Sequence, residues 1–182
     1  MIYVFLANGF EEMEALTPID ILRRCEKQVV TVGVGGREIT GAHGITVKTD
    51  ITTEEMVLGA DLEMIVLPGG MPGTLNLEKS EAVQAAVDFC DMRGIFIGAI
   101  CAAPSILGHK GLLEGKEAIA YPGFETQMPG AVISSHSVAQ DGKIITAQGA
   151  GVAVPFALKL AEAVAGVGEA RRQANAICYP EH

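Results

Sequence analysis

Short, wholly apolar runs recur along the chain and alternate with stretches whose apolar residues have helical spacing. Such runs are typical of strands that are buried on both faces of a sheet. The predicted strands are 2–6, 28–34, 64–67, 95–100 and 143–146, with weaker ones at 45–48 and around Ile133 and Val138. The predicted helices are 11–25, 80–92, 102–107, 152–164 and 169–177. This alternation predicts an α/β three-layer sandwich, with a mostly parallel sheet and helices on both faces.

Length and composition are those of one compact domain. The chain has 182 residues, 49% of them hydrophobic, which is enough for a sizeable core. No internal repeat, low-complexity tract or Pro/Gly/Ser-rich linker divides it, so we expect a single domain over 1–182.

Charge and hydropathy argue against two classes of partner. The formal net charge is −9 and no basic stripe is present, so we expect no nucleic-acid partner. No run of eighteen apolar residues occurs, and residues 1–10 lack the basic start of a secretory signal, so we expect neither a membrane partner nor secretion. The four cysteines form no CxxC pair, which favours reduced thiols and a cytoplasmic location.

Metal and nucleotide motifs are also missing from the sequence. The histidines at 43, 109, 136 and 182 form no cluster in the sequence. Cys178 and His182 are four residues apart, but two possible ligands are too few to predict a metal site. The segment 32–36 lacks G-x-G-x-x-G spacing, and there is no G-x-x-x-x-G-K-[ST] loop. We therefore expect no cofactor and no metal.

Three predicted strand-to-helix junctions carry unusual residues: 8–14, 67–70 and 98–104. In a parallel sheet the carboxyl ends of the strands meet at one edge, and ligands bind there. We therefore expect these three segments to form one site.

Cys101 lies on the third junction, where a tight strand–turn–helix turn lifts its central side chain above the sheet. The first free N–H groups of the helix, that of Ala102 among them, favour an anion, so we expect the thiol pKa to fall below about 8.5. The alternative is a buried cysteine that serves only as a small hydrophobic residue.

Glu14 follows the first strand and points away from its neighbours Glu11 and Glu12. If it reaches Cys101, two anions would face each other, so a protonated Glu14 that donates a hydrogen bond to the thiolate is the simplest arrangement. The alternative is an exposed helix carboxylate. Gly69 and Gly70 offer backbone N–H groups to a bound anion or oxyanion, or form only a turn.

The motifs 11–14 (EEME), 66–70 (VLPGG) and 99–104 (AICAAP) resemble, in order and spacing, those of the ThiJ/PfpI superfamily, and within it the DJ-one/YajL-like group. The resemblance also covers 20–24 (DILRR) and 146–151 (TAQGAG), nearly the whole chain.

The resemblance implies a flavodoxin-like sandwich and a homodimer. It matches Cys101 to the family nucleophile, Glu14 to its carboxyl partner, and Gly69 and Gly70 to the glycines that line the pocket. It implies a cofactor-free glyoxalase or deglycase that acts on small reactive carbonyls such as methylglyoxal or on glycated substrates. Two alternatives remain: a sensor or protective binding protein whose Cys101 is oxidised to the sulfinic acid, and an intracellular cysteine peptidase.

The sequence also departs from the family pattern near the expected pocket. Tyr121 stands where a histidine precedes proline in the human member, so the Cys–His pair is missing, which disfavours proteolysis. His43 stands at the place of a common pocket arginine, and is either a pocket residue or an exposed turn residue. The segment 149–152 reads GAGV where the family has Gly-Pro-Gly-Thr.

Overall fold

A computed structural model describes residues 1–180. The strands are β1 (Ile2–Ala7), β2 (Val29–Val34), β3 (Glu38–Thr40), β4 (Thr46–Lys48), β5 (Ile51–Thr52), β6 (Met64–Leu67), β7 (Phe96–Ile100), β8 (Glu117–Ala118), β9 (Val132–Ile133), β10 (Val138–Asp141) and β11 (Ile144–Ala147). The helices are α1 (Glu12–Arg24), α2 (Gly73–Lys79), α3 (Glu81–Arg93), α4 (Pro104–His109), α5 (Ala153–Ala165) and α6 (Val167–Ala176).

The main sheet has seven strands in the order β10-β11-β7-β6-β1-β2-β5. All its neighbouring strands are parallel except the antiparallel pair β10–β11. The five longer parallel strands β1, β2, β6, β7 and β11, numbered along the chain, lie in the spatial order 2-1-3-4-5. That is the flavodoxin-like order, whose direction of winding reverses between β1 and β6. The predicted fold class is confirmed.

Helices cover both faces of the sheet because the side chains of each strand alternate between two cores. In β1, Tyr3 and Phe5 pack with α2, α3 and α4, whereas Ile2 and Val4 pack with α1, α5 and α6. Every residue of β1 is buried, which explains why its sequence is apolar without alternation.

Some short elements differ from the prediction or were not predicted. The strand expected at 45–48 is observed as β4, but it pairs with β3 in a separate antiparallel hairpin rather than with the main sheet. Strands β3, β5 and β8 have only two or three residues each, which is too short for a strand pattern of apolar and polar residues to be recognised in the sequence. Helix α2 begins at Gly73, directly after Pro72, and covers only seven residues. Proline followed by glycine is typical of a turn, so the sequence pattern did not predict this helix. Among the described residues, no helix combines the length and apolar character that crossing a bilayer requires.

Candidate active site

The three predicted junctions meet at the carboxyl ends of β1, β6 and β7, which are adjacent in the sheet. Backbone hydrogen bonds join the first two loops: Glu11 N donates to Gly69 O (2.9 Å) and Gly73 N to Gly9 O (3.2 Å). A fourth loop joins them after β11, since Cys101 N donates to Ala147 O (2.9 Å). The expectation that these segments share one edge is therefore confirmed.

Cys101 lies between the end of β7 and the start of α4 and has a φ of +65°. This left-handed conformation is uncommon for a residue with a side chain and costs energy. Two backbone hydrogen bonds hold Cys101 in this conformation. Cys101 N donates to Ala147 O, and Tyr121 N donates to Cys101 O (2.8 Å). Cys101 is partly exposed, and the nearby N–H groups of Gly70 and Ala102 favour the anionic form of its sulfur. Cys101 is therefore not sealed in the core, unlike the buried Cys90.

Glu14 lies in the first turn of α1 with only 1% of its surface exposed. Its Oε2 accepts a hydrogen bond from Gly69 N (2.9 Å), and its carboxyl group also contacts Ala150 N and the side chain of Cys101. Glu11 caps the helix, because its Oε2 accepts from Glu14 N (2.8 Å). The alternative of an exposed Glu14 carboxylate is wrong.

Burial is the largest influence on the pKa values of Glu14 and Cys101. It raises the pKa of Glu14 to about 7, against the opposing effect of its hydrogen bonds. Burial and the neighbouring Glu14 carboxylate together raise the pKa of Cys101 to about 12. The predicted lowering of the thiol pKa is therefore wrong: the N–H groups of Gly70 and Ala102 act in that direction but are outweighed. Because two anions in contact are unfavourable, the pair holds at least one proton at neutral pH.

The two glycines predicted to bind an oxyanion have different tasks. Gly69 donates its N–H to Glu14, so it positions the carboxyl group rather than facing a substrate. A Cβ at Gly69 would lie 2.6 Å from Glu14 Oε2 and from Cys101 Cβ, so only glycine fits between them. Gly70, with a φ of +91°, directs its N–H toward the sulfur of Cys101.

Tyr121 and His43 occupy different places relative to the pair. A Cβ on Gly149 would lie 3.4 Å from the Tyr121 ring and 3.9 Å from Glu14 Oε1, so Tyr121 borders the site beside Glu14. His43 instead binds Glu12: its Nδ1 lies 2.8 Å from Glu12 Oε2, and the ring is largely exposed. Tyr121 thus lies near the pair, across Gly149 from Glu14, whereas His43 binds Glu12.

One group of potential metal ligands exists among residues 1–180, and the sequence spacing concealed it. The ligand atoms of Glu11, Glu12 and His43 lie within 4.8 Å of one another. Glu12 already accepts hydrogen bonds from the His43 ring, His43 N (2.8 Å) and Ile45 N (3.4 Å). Although burial opposes it, these bonds lower the pKa of Glu12, so its carboxylate anchors the 41–45 loop. His182 lies outside the described residues.

Sequence patterns favour Glu11 as a cap of the helix but give no role to Gly149 or Ala150, which lie beside Glu14. The signal that could have found the last two is position, since both follow a predicted strand and so belong to the same sheet edge. The capping role of Glu11 depends on a helix boundary, which sequence patterns locate only within a few residues.

This geometry defines a class: open α/β proteins with a cysteine on a strand-to-helix turn, next to a buried carboxyl group. Comparison with known proteins narrows the class to a family. The model of the DJ-1/PfpI family matches residues 1–163, and the chain belongs to this family.

Relatives match over most of the chain. Protein DJ-1alpha of Drosophila melanogaster is 35% identical over 97% of this chain and 82% of its own length. Deglycase PH1704 of Pyrococcus horikoshii is 32% identical over 67% of this chain and 72% of its own. The solved structure of oxidized DJ-1 from Toxoplasma gondii has a TM-score of 0.91 and 34% identity, covering 99% of this chain and 98% of that one.

Proposed function

We propose that this protein is a cofactor-free, cysteine-dependent enzyme that acts on reactive carbonyls of the methylglyoxal class, in the manner of a glyoxalase or deglycase. The observation that carries the proposal is the contact between Cys101 and the buried carboxyl group of Glu14. One nucleophile and one proton carrier, in contact and sharing a proton, are the two groups that this chemistry requires.

In the proposed first step, the Glu14 carboxylate takes the proton of the Cys101 thiol as the sulfur attacks the aldehyde carbon of methylglyoxal. A C–S bond forms, the C=O π bond breaks, and the oxygen takes the proton of Glu14, which gives a hemithioacetal and a carboxylate. The N–H groups of Gly70 and Ala102 lie at the sulfur, where they stabilise the attacking anion.

In the second step, the Glu14 carboxylate removes the proton from the former aldehyde carbon and returns one to the neighbouring keto carbon, while the hydroxyl proton of the hemithioacetal passes to the keto oxygen. The net change is an internal oxidation of one carbon and reduction of the next, so no external electron carrier is needed. The product is a thioester of lactate. Water hydrolyses it, releasing lactate and the thiol. A raised Glu14 pKa suits a group that must both give and take a proton near neutral pH.

The deglycase form of the proposal uses the same intermediate. The Pyrococcus relative bears the name deglycase. For a methylglyoxal–amine adduct, the C–S bond would form as the C–N bond breaks, and Glu14 would protonate the leaving amine. The resulting hemithioacetal then follows the route above.

The test is turnover of methylglyoxal to lactate by the wild type and two cysteine variants. Cys101→Ser removes the nucleophile and should lower kcat/KM at least about a hundredfold. Cys178→Ser changes an exposed cysteine outside the site and is the control, with unchanged activity expected. Equal rates for the wild type and Cys101→Ser would refute the proposal.

A second candidate function is redox sensing or protection, with little turnover. Partial exposure of Cys101 and its carboxyl neighbour favour it, and the Toxoplasma relative is described in an oxidized form. Mild peroxide should add two oxygens to Cys101 while the buried Cys90 stays unmodified, as read by peptide mass spectrometry. Oxidation spread evenly over the four cysteines would count against this function.

Proteolysis is not part of the proposal. A cysteine peptidase pairs its thiol with a histidine base, whereas the partner of Cys101 is Glu14. His43 and His109 hydrogen-bond to Glu12 and Glu78 instead.

We also propose that the protein works as a homodimer, as the family resemblance implies. Helix α1 exposes the apolar side chains of Met13 and Leu16, which a second copy of the chain would cover. Light scattering should give twice the chain mass of 19.0 kDa, and Met13→Lys should reduce it toward a single chain. A monomeric wild type would refute this arrangement.

A further inference from the structure

The loop that follows β11 reaches the buried carboxyl group of Glu14, and the mechanism proposed above gives it no task. Glu14 Oε2 accepts a hydrogen bond from Gly69 N (2.9 Å). A Cβ on Gly149, in the loop after β11, would lie 3.9 Å from the other oxygen, Glu14 Oε1. The two loops therefore approach different oxygens of one carboxyl group.

The residue after Gly149 has a backbone N–H that no backbone carbonyl uses. Neighbouring amides of the loop are paired, because Gln148 N donates to Ser137 O (2.9 Å) and Val152 N donates to Gly149 O (2.9 Å). Among residues 1–180, no backbone carbonyl accepts from Ala150 N. This N–H group is therefore available to an acceptor outside its own loop.

The acceptor beside Ala150 N is Glu14, and the charge preferences agree with this geometry. Burial raises the pKa of Glu14 to about 7, and the charge of Glu11 acts in the same direction. The side chain of Cys101 and the N–H groups of Gly69 and Ala150 act in the opposite direction. The two backbone groups thus favour the carboxylate form of Glu14 in surroundings that otherwise favour the acid.

We infer that Ala150 is a positioning residue, whose N–H holds the Glu14 carboxylate from the side of Oε1 while that of Gly69 holds Oε2. Donors at both oxygens fix the plane of the carboxyl group and keep its charged form available beside Cys101. This inference rests on the proposed function, in which that charged form takes the thiol proton. It adds a donor particular to this chain, because the proline of the family pattern at position 150 would carry no N–H.

The local backbone allows this N–H to be removed with little change to the fold. Gly149 is extended, with a φ of 163° and a ψ of −172°, and the residue before a proline favours an extended conformation. Ala150 is the first residue of a short 3₁₀ turn, where proline is tolerated. Ala150→Pro therefore deletes one donor, and Ala150→Gly, which keeps the N–H, is the matched control.

The first test needs neither a substitution at Ala150 nor turnover. When the pH is raised from about 5 to about 9, the NMR chemical shift of the Ala150 amide proton should change with the same midpoint as the side-chain carboxyl carbon of Glu14. Gly69 N–H, which binds the same carboxyl group, is the positive control, and Val152 N–H, which binds Gly149 O, is the negative control. The change should be absent in Glu14→Gln. An Ala150 amide that behaves like that of Val152 would refute the inference.

The second test is the pH dependence of kcat/KM for methylglyoxal. Loss of the donor in Ala150→Pro should raise the pKa of Glu14, so that less of the carboxylate is present below neutral pH. We expect kcat/KM to be about threefold lower than in the wild type at about pH 6 and equal to it at about pH 9. Ala150→Gly should follow the wild type at both. A loss of equal size at the two pH values, or no loss at either, would overturn the inference.

Failure of the inference and failure of the proposed function give different results. If the wild type does not convert methylglyoxal, the proposed function is wrong, and the NMR comparison still decides whether Ala150 holds Glu14. If the wild type is active but the Ala150 amide does not follow Glu14, only the inference is wrong. If Ala150→Pro does not fold, the NMR comparison in the wild type decides alone.

Discussion

At the scale of single residues, the chemistry depends on two groups that are each unfavourable as an anion. Burial raises the pKa of both groups, and the Glu14 carboxylate raises the pKa of the Cys101 thiol further, whereas the hydrogen bond from Cys101 lowers the pKa of Glu14. Backbone N–H groups act against burial and favour the charged forms. Those of Gly70 and Ala102 lower the pKa of Cys101, and that of Gly69 lowers the pKa of Glu14. The balance leaves the pair with at least one proton at neutral pH, and the proposed nucleophilic attack and proton transfer both use that proton.

The raised pKa of Glu14 predicts how stability changes with pH. Its pKa is about 7 in the folded protein and 4.5 ordinarily, so the folded state binds the proton more tightly. Folding stability should therefore fall as pH rises from about 4.5 to 7, by up to about 3 kcal/mol, and then level off. Glu14→Gln should remove this part of the pH dependence in urea unfolding at pH 5 and 8. Glu38→Gln, at an exposed position, is the control, and a slope in Glu14→Gln equal to that of the wild type would contradict the assignment.

At the scale of elements, the β3–β4 hairpin is attached to the loop that leads into α1. Ala42 N donates to Phe10 O (2.7 Å), and the Glu12 carboxylate accepts from the backbone N–H groups of His43 and Ile45. A Cβ on Gly41 would lie only 2.3 Å from Glu12 Oε1, so glycine is what lets the hairpin turn wrap the carboxylate. The turn and the start of α1 are thus fixed together.

Loss of the Glu12 carboxylate should loosen this hairpin. Glu12→Ala leaves the N–H groups of His43 and Ile45 without their acceptor, so we expect a loss of about 1–3 kcal/mol in unfolding free energy. Hydrogen exchange at these two amides should become faster. Glu38→Ala changes an exposed residue of the same hairpin and should have little effect. Unchanged protection in Glu12→Ala would show that the backbone contacts suffice.

At the scale of the whole molecule, the sheet joins two cores and presents one reactive edge. The reversal of winding between β1 and β6 opens a crevice at their carboxyl ends, where the Glu14 and Gly69 loops emerge. Helix α5 closes the core on one face through Phe156 and Leu160. A Cβ on Gly98 would lie 2.8 Å from Leu160, so a glycine in β7 lets α5 approach the sheet three residues before Cys101.

Truncating the α5 contact should therefore destabilise the whole fold. Phe156 is fully buried, and Phe156→Ala should reduce the unfolding free energy by about 3–5 kcal/mol, because it leaves a cavity between α5 and the sheet. Val167→Ala alters a side chain with 60% exposure and should stay within about 0.5 kcal/mol of the wild type. Urea denaturation measures both, and similar midpoints would contradict this account of the core.

The sequence by itself determined the alternation of buried strands and helices, and from it the parallel sheet and the edge where Cys101 and Glu14 emerge. These features follow from local apolar periodicity and from the geometry that parallel strands impose. Only the tertiary structure decided that Gly69 holds Glu14, that Tyr121 rather than His43 borders it, and that the thiol pKa is raised. Burial and charge contacts join residues far apart in the chain, and no local pattern records the distances between them.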